Sequence, residues 1–115
     1  MIRVISGQYK GRKLKQVPNK YVRPTQAVIR KSMMQILEPF YGSRVLDLYA
    51  GVGTLGIEAL SRGADQLTAV EGNKLVSKVL QENINLICSD NKEVNIIHNN
   101  VESFLKYEKN KYDII

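Results

Sequence analysis

One cysteine and one histidine in 115 residues are too few for an internal disulfide or a zinc site. Cys88 and His98 have no partners at metal-ligand spacing, so no metal is expected, and a lone thiol fits a reducing, cytoplasmic location. No apolar run approaches the roughly 20 residues of a membrane span, and none follows a signal-peptide plan, so no membrane partner is expected. Acid is missing from one stretch. Residues 1 to 44 hold ten Lys or Arg against Glu38 alone, a net +9, whereas residues 45 to 115 hold seven against ten carboxylates, a net −3.

The positive field therefore belongs to the N-terminal segment. Arg3, Lys10, Arg12, Lys13, Lys15, Lys20, Arg23, Arg30 and Lys31 are interrupted by Tyr9 and Tyr21, which suits phosphate neutralisation combined with aromatic stacking. A nucleic acid is the expected partner, with a solvated basic tail as the alternative. A chain of 115 residues suffices for one small domain with a core, but falls short of a complete doubly wound domain.

Turn residues and hydrophobic periodicity divide the chain in two. Strands are expected at 2–6 and 12–17, joined by the glycine-flanked turn Gly7 to Gly11, giving a basic hairpin extension over 1–24. Thr25 can cap a helix whose apolar set Ile29, Met33, Ile36 and Leu37 would face inward, with Pro39 and Gly42 ending it. From Arg44 the pattern alternates. Strands are expected at 45–49, 66–70 and 94–98, helices at 55–61, 75–86 and 101–106, and the start of a fourth strand at 112–115. Leu75, Val79 and Leu86 should be the inward residues of the middle helix. Alternation of this kind predicts an α/β fold with a parallel sheet, so residues 25–115 read as part of a Rossmann-like domain.

The densest signal is Val45-Leu-Asp47-Leu-Tyr49-Ala50-Gly51-Val-Gly53-Thr-Leu-Gly56, a buried strand leading into a helix through a glycine loop. Glycine at 51 and 53 lets a ligand approach the backbone, and Gly56 lets the helix pack closely on the sheet. A dinucleotide loop receives a pyrophosphate, so a carboxylate just ahead of the glycines would repel it. S-adenosylmethionine has no phosphate and carries an ammonium and a sulfonium, which Asp47 complements. Glu71, closing the run Leu67 to Val70, can accept hydrogen bonds from both ribose hydroxyls. Asn100, beside Asn99 past the third strand, could bond an adenine edge or simply cap a helix.

These residues resemble the bacterial 16S ribosomal RNA guanine-N2 methyltransferases, a branch of the Rossmann-like, adenosylmethionine-dependent class I methyltransferases. The resemblance runs through Arg3-Val-Ile-Ser-Gly7-Gln-Tyr-Lys-Gly11, Arg23-Pro24-Thr25, the glycine loop, Val70-Glu71 and Asn100. Its most specific stretch is Glu58-Ala-Leu-Ser-Arg-Gly-Ala64. It implies S-adenosyl-L-methionine as cofactor, with contacts from Thr25, Asp47, Tyr49, Ala50, Gly51, Gly53, Glu71 and Asn100. It implies 16S ribosomal RNA, or an assembling small subunit, as partner, gripped by Arg3, Lys10, Arg12, Lys13, Arg23 and Arg30. Ala27 and Lys31 depart from acidic residues usual in the family, and Val28 from a basic one.

In that family the fourth strand runs on into an Asp-Pro-Pro-aromatic motif that orients the guanine amine, and this chain stops at Ile115, before it. No catalytic residue is therefore expected within the chain, which should be a poorly active fragment prone to self-association through an open sheet edge. An RNA-binding module without catalysis and, less favoured, a nicotinamide oxidoreductase are the alternative functions. Asp47 and the basic N-terminus argue against the second.

Overall fold

A computed structural model of the chain describes residues 2–18, 27–88 and 91–115. The expected roles of Arg23 and Thr25, and of Lys20 and Tyr21, lie outside the described residues. Strand β1 (Ile2–Arg3) pairs antiparallel with β2 (Lys13–Leu14), with Ile2 opposite Leu14 and Arg3 opposite Lys13. Helix α1 (Ala27–Leu37) follows, and then a regular alternation: β3 (Arg44–Asp47), α2 (Thr54–Ser61), β4 (Gln66–Glu71), α3 (Lys74–Ile87), β5 (Glu93–His98) and α4 (Val101–Tyr107).

The three later strands form a parallel sheet in the order β3-β4-β5, with Asp47 opposite Ala69 and Glu71 opposite His98. A sheet covered on both faces needs apolar residues at successive positions, and Leu67 to Val70 supplies them. Leu67 and Ala69 join one core layer with Ile57, Leu60, Leu80 and Ile84, contributed by α2 and α3. Val70 and Leu46 join the other with Phe104 of α4. The expected fourth strand is present as one parallel bridge, Val45 to Ile114, supported by the Leu46 N–H donating to the Ile114 carbonyl at 2.8 Å. It lies on the edge of β3 opposite β4. Gly56 permits the close fit of α2 on the sheet, since a β-carbon there would sit 2.7 Å from Leu67 Cδ2.

The hairpin packs onto this body. Val4, Tyr9 and Leu14 belong to the same core layer as α2 and α3. Ordinary strand pairing is too short to hold it, and buried polar side chains supply the rest. The Glu58 carboxylate accepts from the Ile5 and Ser6 N–H groups at 2.8 and 3.1 Å, and from Arg62 Nε at 2.9 Å. Ser61 Oγ accepts from the Tyr9 N–H at 2.9 Å and donates to the Ser6 carbonyl at 2.6 Å, while the Gln8 N–H donates to the Ser61 carbonyl at 2.7 Å. At Gly7, φ is +92° and a β-carbon would lie 2.0 Å from the Ser61 carbonyl oxygen, so only glycine fits.

Two expectations about helix faces are corrected. In α1 the buried residues are Arg30 and Met34, while Ile29 and Ile36 are exposed and Met33 and Leu37 line a surface cleft. Arg30 turns inward, where its Nη2 donates to the Arg3 carbonyl at 2.8 Å; burial lowers its pKa, the Glu58 charge opposes this and the Arg62 charge adds to it. In α3 the inward row is Val76, Leu80, Asn83, Ile84 and Ile87, and Leu75 and Leu86 are exposed. Both rows have helical spacing; the buried one gathers Val76, Leu80, Ile84 and Ile87, and its polar Asn83 is accommodated by buried partners.

Candidate functional site

Parallel strands bring their C-terminal ends to one edge of the sheet, where ligands collect in open α/β folds. Asp47 ends β3, Glu71 ends β4, and Asn99 and Asn100 follow β5. Between β3 and α2 the chain turns through Ala50, Gly51, Val52 and Gly53, with φ of +59° at Gly51 and +102° at Gly53. The loop is held by its backbone. Ala50 N–H donates to the Val70 carbonyl at 3.0 Å and Gly53 N–H to the Ala50 carbonyl at 3.1 Å. A β-carbon at Gly53 would also press on Leu80 Cδ1 at 2.8 Å, so this glycine serves packing as well as the turn.

The Glu71 carboxylate spans the loop and the next helix. Its Oε1 accepts from the Gly51 N–H at 2.8 Å and its Oε2 from the Asn73 N–H at 2.9 Å. Each oxygen keeps a further lone pair, so the carboxylate is fixed in place and still able to receive hydroxyl donors. Asp47 Oδ1 accepts from the Tyr49 N–H at 3.3 Å. Burial pushes its carboxyl pKa up, the Tyr49 N–H opposes this, and the charge of Glu71 adds to it. An apolar cleft of about 320 Å³, lined by Met33, Leu37, Leu48, Tyr49 and Ile114 among others, includes Asp47 in its wall. A desolvated carboxylate with one hydrogen bond is poised for a cation.

Asn100 resolves toward capping in part: its Oδ1 accepts from the Ser103 N–H at 2.8 Å at the start of α4. The amide nitrogen keeps donors that could reach a ligand. Tyr49 is largely exposed at the rim and Ala50 is buried beneath the loop. His98 Nε2 lies 3.3 Å from the Gly72 carbonyl, and burial pushes the Cys88 thiol up to about 11. Among the described residues no group of three or more His, Cys, Asp or Glu could hold a metal ion, and no helix is long and apolar enough to cross a membrane.

On the hairpin, Arg3, Lys10, Arg12 and Lys13 are exposed. Arg12 Nη2 donates to the Leu86 carbonyl at 2.6 Å, a cation at the C-terminal turn of α3. Two sequence-based assignments are corrected: Arg30 is 3% exposed and cannot present its charge to RNA, and Tyr9 is 6% exposed, in the core rather than free for base stacking. Sequence reasoning also missed Asn83, whose Oδ1 accepts from the Lys15 N–H at 2.8 Å and whose Nδ2 donates to the Val52 carbonyl at 2.8 Å. Its signal was a polar residue in the apolar row of α3, as Glu58 is in α2.

A parallel sheet with a glycine loop between its first strand and helix, and carboxylates ending its first two strands, defines the Rossmann-like class I methyltransferase fold. Residues 2–115 match the family model described as Conserved hypothetical protein 95, and the chain belongs to that family. It is 43% identical to ribosomal RNA small subunit methyltransferase D of Buchnera aphidicola over 118 residues, covering 99% of this chain and 60% of that protein. The protein of the same name in Escherichia coli strain K12 is 36% identical, with 99% and 57% covered. A solved structure described as "Putative methyltransferase yhhF from Escherichia coli" superposes with a TM-score of 0.87 at 34% identity, covering 98% of this chain and 61% of that one. The chain thus spans about 60% of the length of the curated relatives it matches.

Proposed function

We propose that the chain is the cofactor-binding part of an S-adenosyl-L-methionine-dependent enzyme that methylates the exocyclic N2 of a guanine in small-subunit ribosomal RNA. The observation that carries this reading is the desolvated Asp47 carboxylate ahead of the glycine loop, facing the same edge as Glu71. A pyrophosphate would meet that negative charge at short range, whereas an ammonium or sulfonium is stabilised by it. The residues fit the cofactor: Asp47 and the backbone of Gly51 and Gly53 would hold the methionine end, Glu71 the ribose, and Asn100 the adenine. Tyr49 and Ala50 would form the rim and floor. Bound S-adenosylmethionine supplies an electrophilic methyl group on its sulfonium.

The chain's own contribution is to bind and orient. Arg3, Lys10, Arg12 and Lys13 form an exposed cationic face on a hairpin anchored by buried bonds, so RNA phosphates would be received at a set distance from the cofactor loop. Holding both reactants in one frame supplies much of the acceleration for a weak nucleophile such as a guanine amine. Relatives named small-subunit ribosomal RNA methyltransferases support the substrate class. Cytoplasmic work on RNA or on an assembling ribosomal particle follows from it.

Titration calorimetry tests the cofactor: adenosylhomocysteine should bind with one-to-one stoichiometry and NAD should not. Binding of NAD with exclusion of adenosylhomocysteine overturns the reading. Transfer of tritiated methyl from S-adenosylmethionine into small-subunit RNA, by the protein of which this chain is the cofactor part, tests the reaction. Label found on guanine N2 supports it, and label absent from every RNA rejects it.

A further inference from the structure

Asn83 is fully buried on the inward row of α3, among Val76, Leu80, Ile84 and Ile87. A primary amide at such a place destabilises the fold unless its hydrogen-bonding groups are satisfied. Here they are, by two distant segments. Oδ1 accepts from the Lys15 N–H at 2.8 Å, and Nδ2 donates to the Lys15 carbonyl at 3.1 Å and to the Val52 carbonyl at 2.8 Å. One side chain therefore joins the strand leaving the basic hairpin to the centre of the glycine loop.

Val52 sits between two glycines at positive φ, the residues least able to hold a backbone in one conformation by themselves. The loop's shape must then come from its bonds, and the bond from Asn83 is the one that reaches it from the hairpin side. We infer that Asn83 is a positioning residue: through it the docking of residues 13–16 sets the conformation of the glycine loop, so that ligand binding at the loop depends on the hairpin being seated. The last clause rests on the cofactor reading above, and the first does not.

Amide hydrogen exchange on the full chain separates the two. Asn83→Leu removes the link, and Lys15→Pro removes the hairpin-side N–H together with the Lys15 to Glu82 ion pair, with no atom near the loop. Glu82→Gln is the control, since it breaks the Lys15 to Glu82 ion pair and leaves the amide bonds intact. Exchange at Gly51 and Gly53 should rise about tenfold in Asn83→Leu, as expected for a carbonyl that loses its donor. A smaller rise should follow Lys15→Pro and none Glu82→Gln, with Leu67 and Ala69 in β4 little changed in all three. An equal rise in β4 and the loop, or an unchanged loop in Lys15→Pro, overturns the inference. If the pattern holds and the unmodified chain binds adenosylhomocysteine, both variants should bind it more weakly; equal affinity overturns the last clause. If the pattern holds and the unmodified chain binds none, the positioning role stands and the cofactor reading falls. Where Asn83→Leu does not fold, Lys15→Pro carries the test.

Discussion

The hairpin and the glycine loop are both short of regular secondary structure, yet they are held by different means. The loop is fixed by backbone bonds, by Glu71 closing over Gly51 and by the Asn83 amide on the Val52 carbonyl. The hairpin is fixed from without: Glu58, Ser61 and Asn83, buried in two helices, receive the N–H groups of Ile5, Ser6, Tyr9 and Lys15. Their charges are disposed in opposite ways too. Hairpin cations stand in solvent, where they can meet a polyanion, while the Asp47 carboxylate is sheltered and made more reactive toward a cation by desolvation. An arm with two paired residues per strand can be as rigid as a sheet when a folded body satisfies its backbone.

The strongest way to break this contrast is Glu58→Ala, which leaves two hairpin N–H groups without their acceptor and the buried Arg62 with Glu38 as its remaining carboxylate. Denaturant unfolding should show a loss of about 3–5 kcal/mol, the range for removing one partner of a buried ion pair. Asp47→Asn acts on the other region and sharpens the contrast. It should weaken adenosylhomocysteine binding by about 1.5–3 kcal/mol, the range for a hydrogen bond to a charged group, as read by calorimetry.

Asp47 also gives a pH dependence. Because its folded pKa is raised above the ordinary 3.8, the folded chain holds that proton more tightly than the unfolded chain. Stability should therefore decline as pH rises from 3.8 through the raised value, and Asp47→Asn should flatten that decline in thermal melts at stepped pH. Cofactor affinity should move the other way, falling as the pH is lowered through the same window. Gly56→Ala is milder: overpacking against the buried Leu67 side chain should cost about 1–2 kcal/mol, partly offset by better helix propensity. The smallest effect is expected for Lys10→Ala or Lys13→Ala, each lowering the salt dependence of RNA binding by about one counterion without touching the fold. Fluorescence anisotropy across a salt series measures it, and an unchanged slope would remove that lysine from the interface.

Much of this was legible in the residues. The three strands and their crossover helices fall within a residue or two of their expected bounds, because parallel β and α periodicities differ strongly and the glycine loop marks the first crossover. Asp47 and Glu71 were readable because each closes an apolar run. What escaped was the meaning of polar residues inside apolar rows. Glu58 opens the stretch to Ala64 that reads as the most specific part of the family resemblance, and its geometry is that of an anchor for the hairpin. Arg30 was read as a surface cation because its charge was visible and its partner, a carbonyl on another segment, was not. In α3 the exposed Leu75 and Leu86 formed a plausible apolar row, and the row that is buried, Val76, Leu80, Ile84 and Ile87, was disguised by the Asn83 that interrupts it.

The contact of Gly7 with the Ser61 carbonyl has a consequence for how the arm could be lost without losing the body. A single methyl group at that spot would work like a wedge under a hinge plate, prising the cationic strand pair from its seat while the three parallel strands stay closed. Position 7 is thus a latch whose release would detach the cationic arm and, through Asn83, slacken the glycine loop as well.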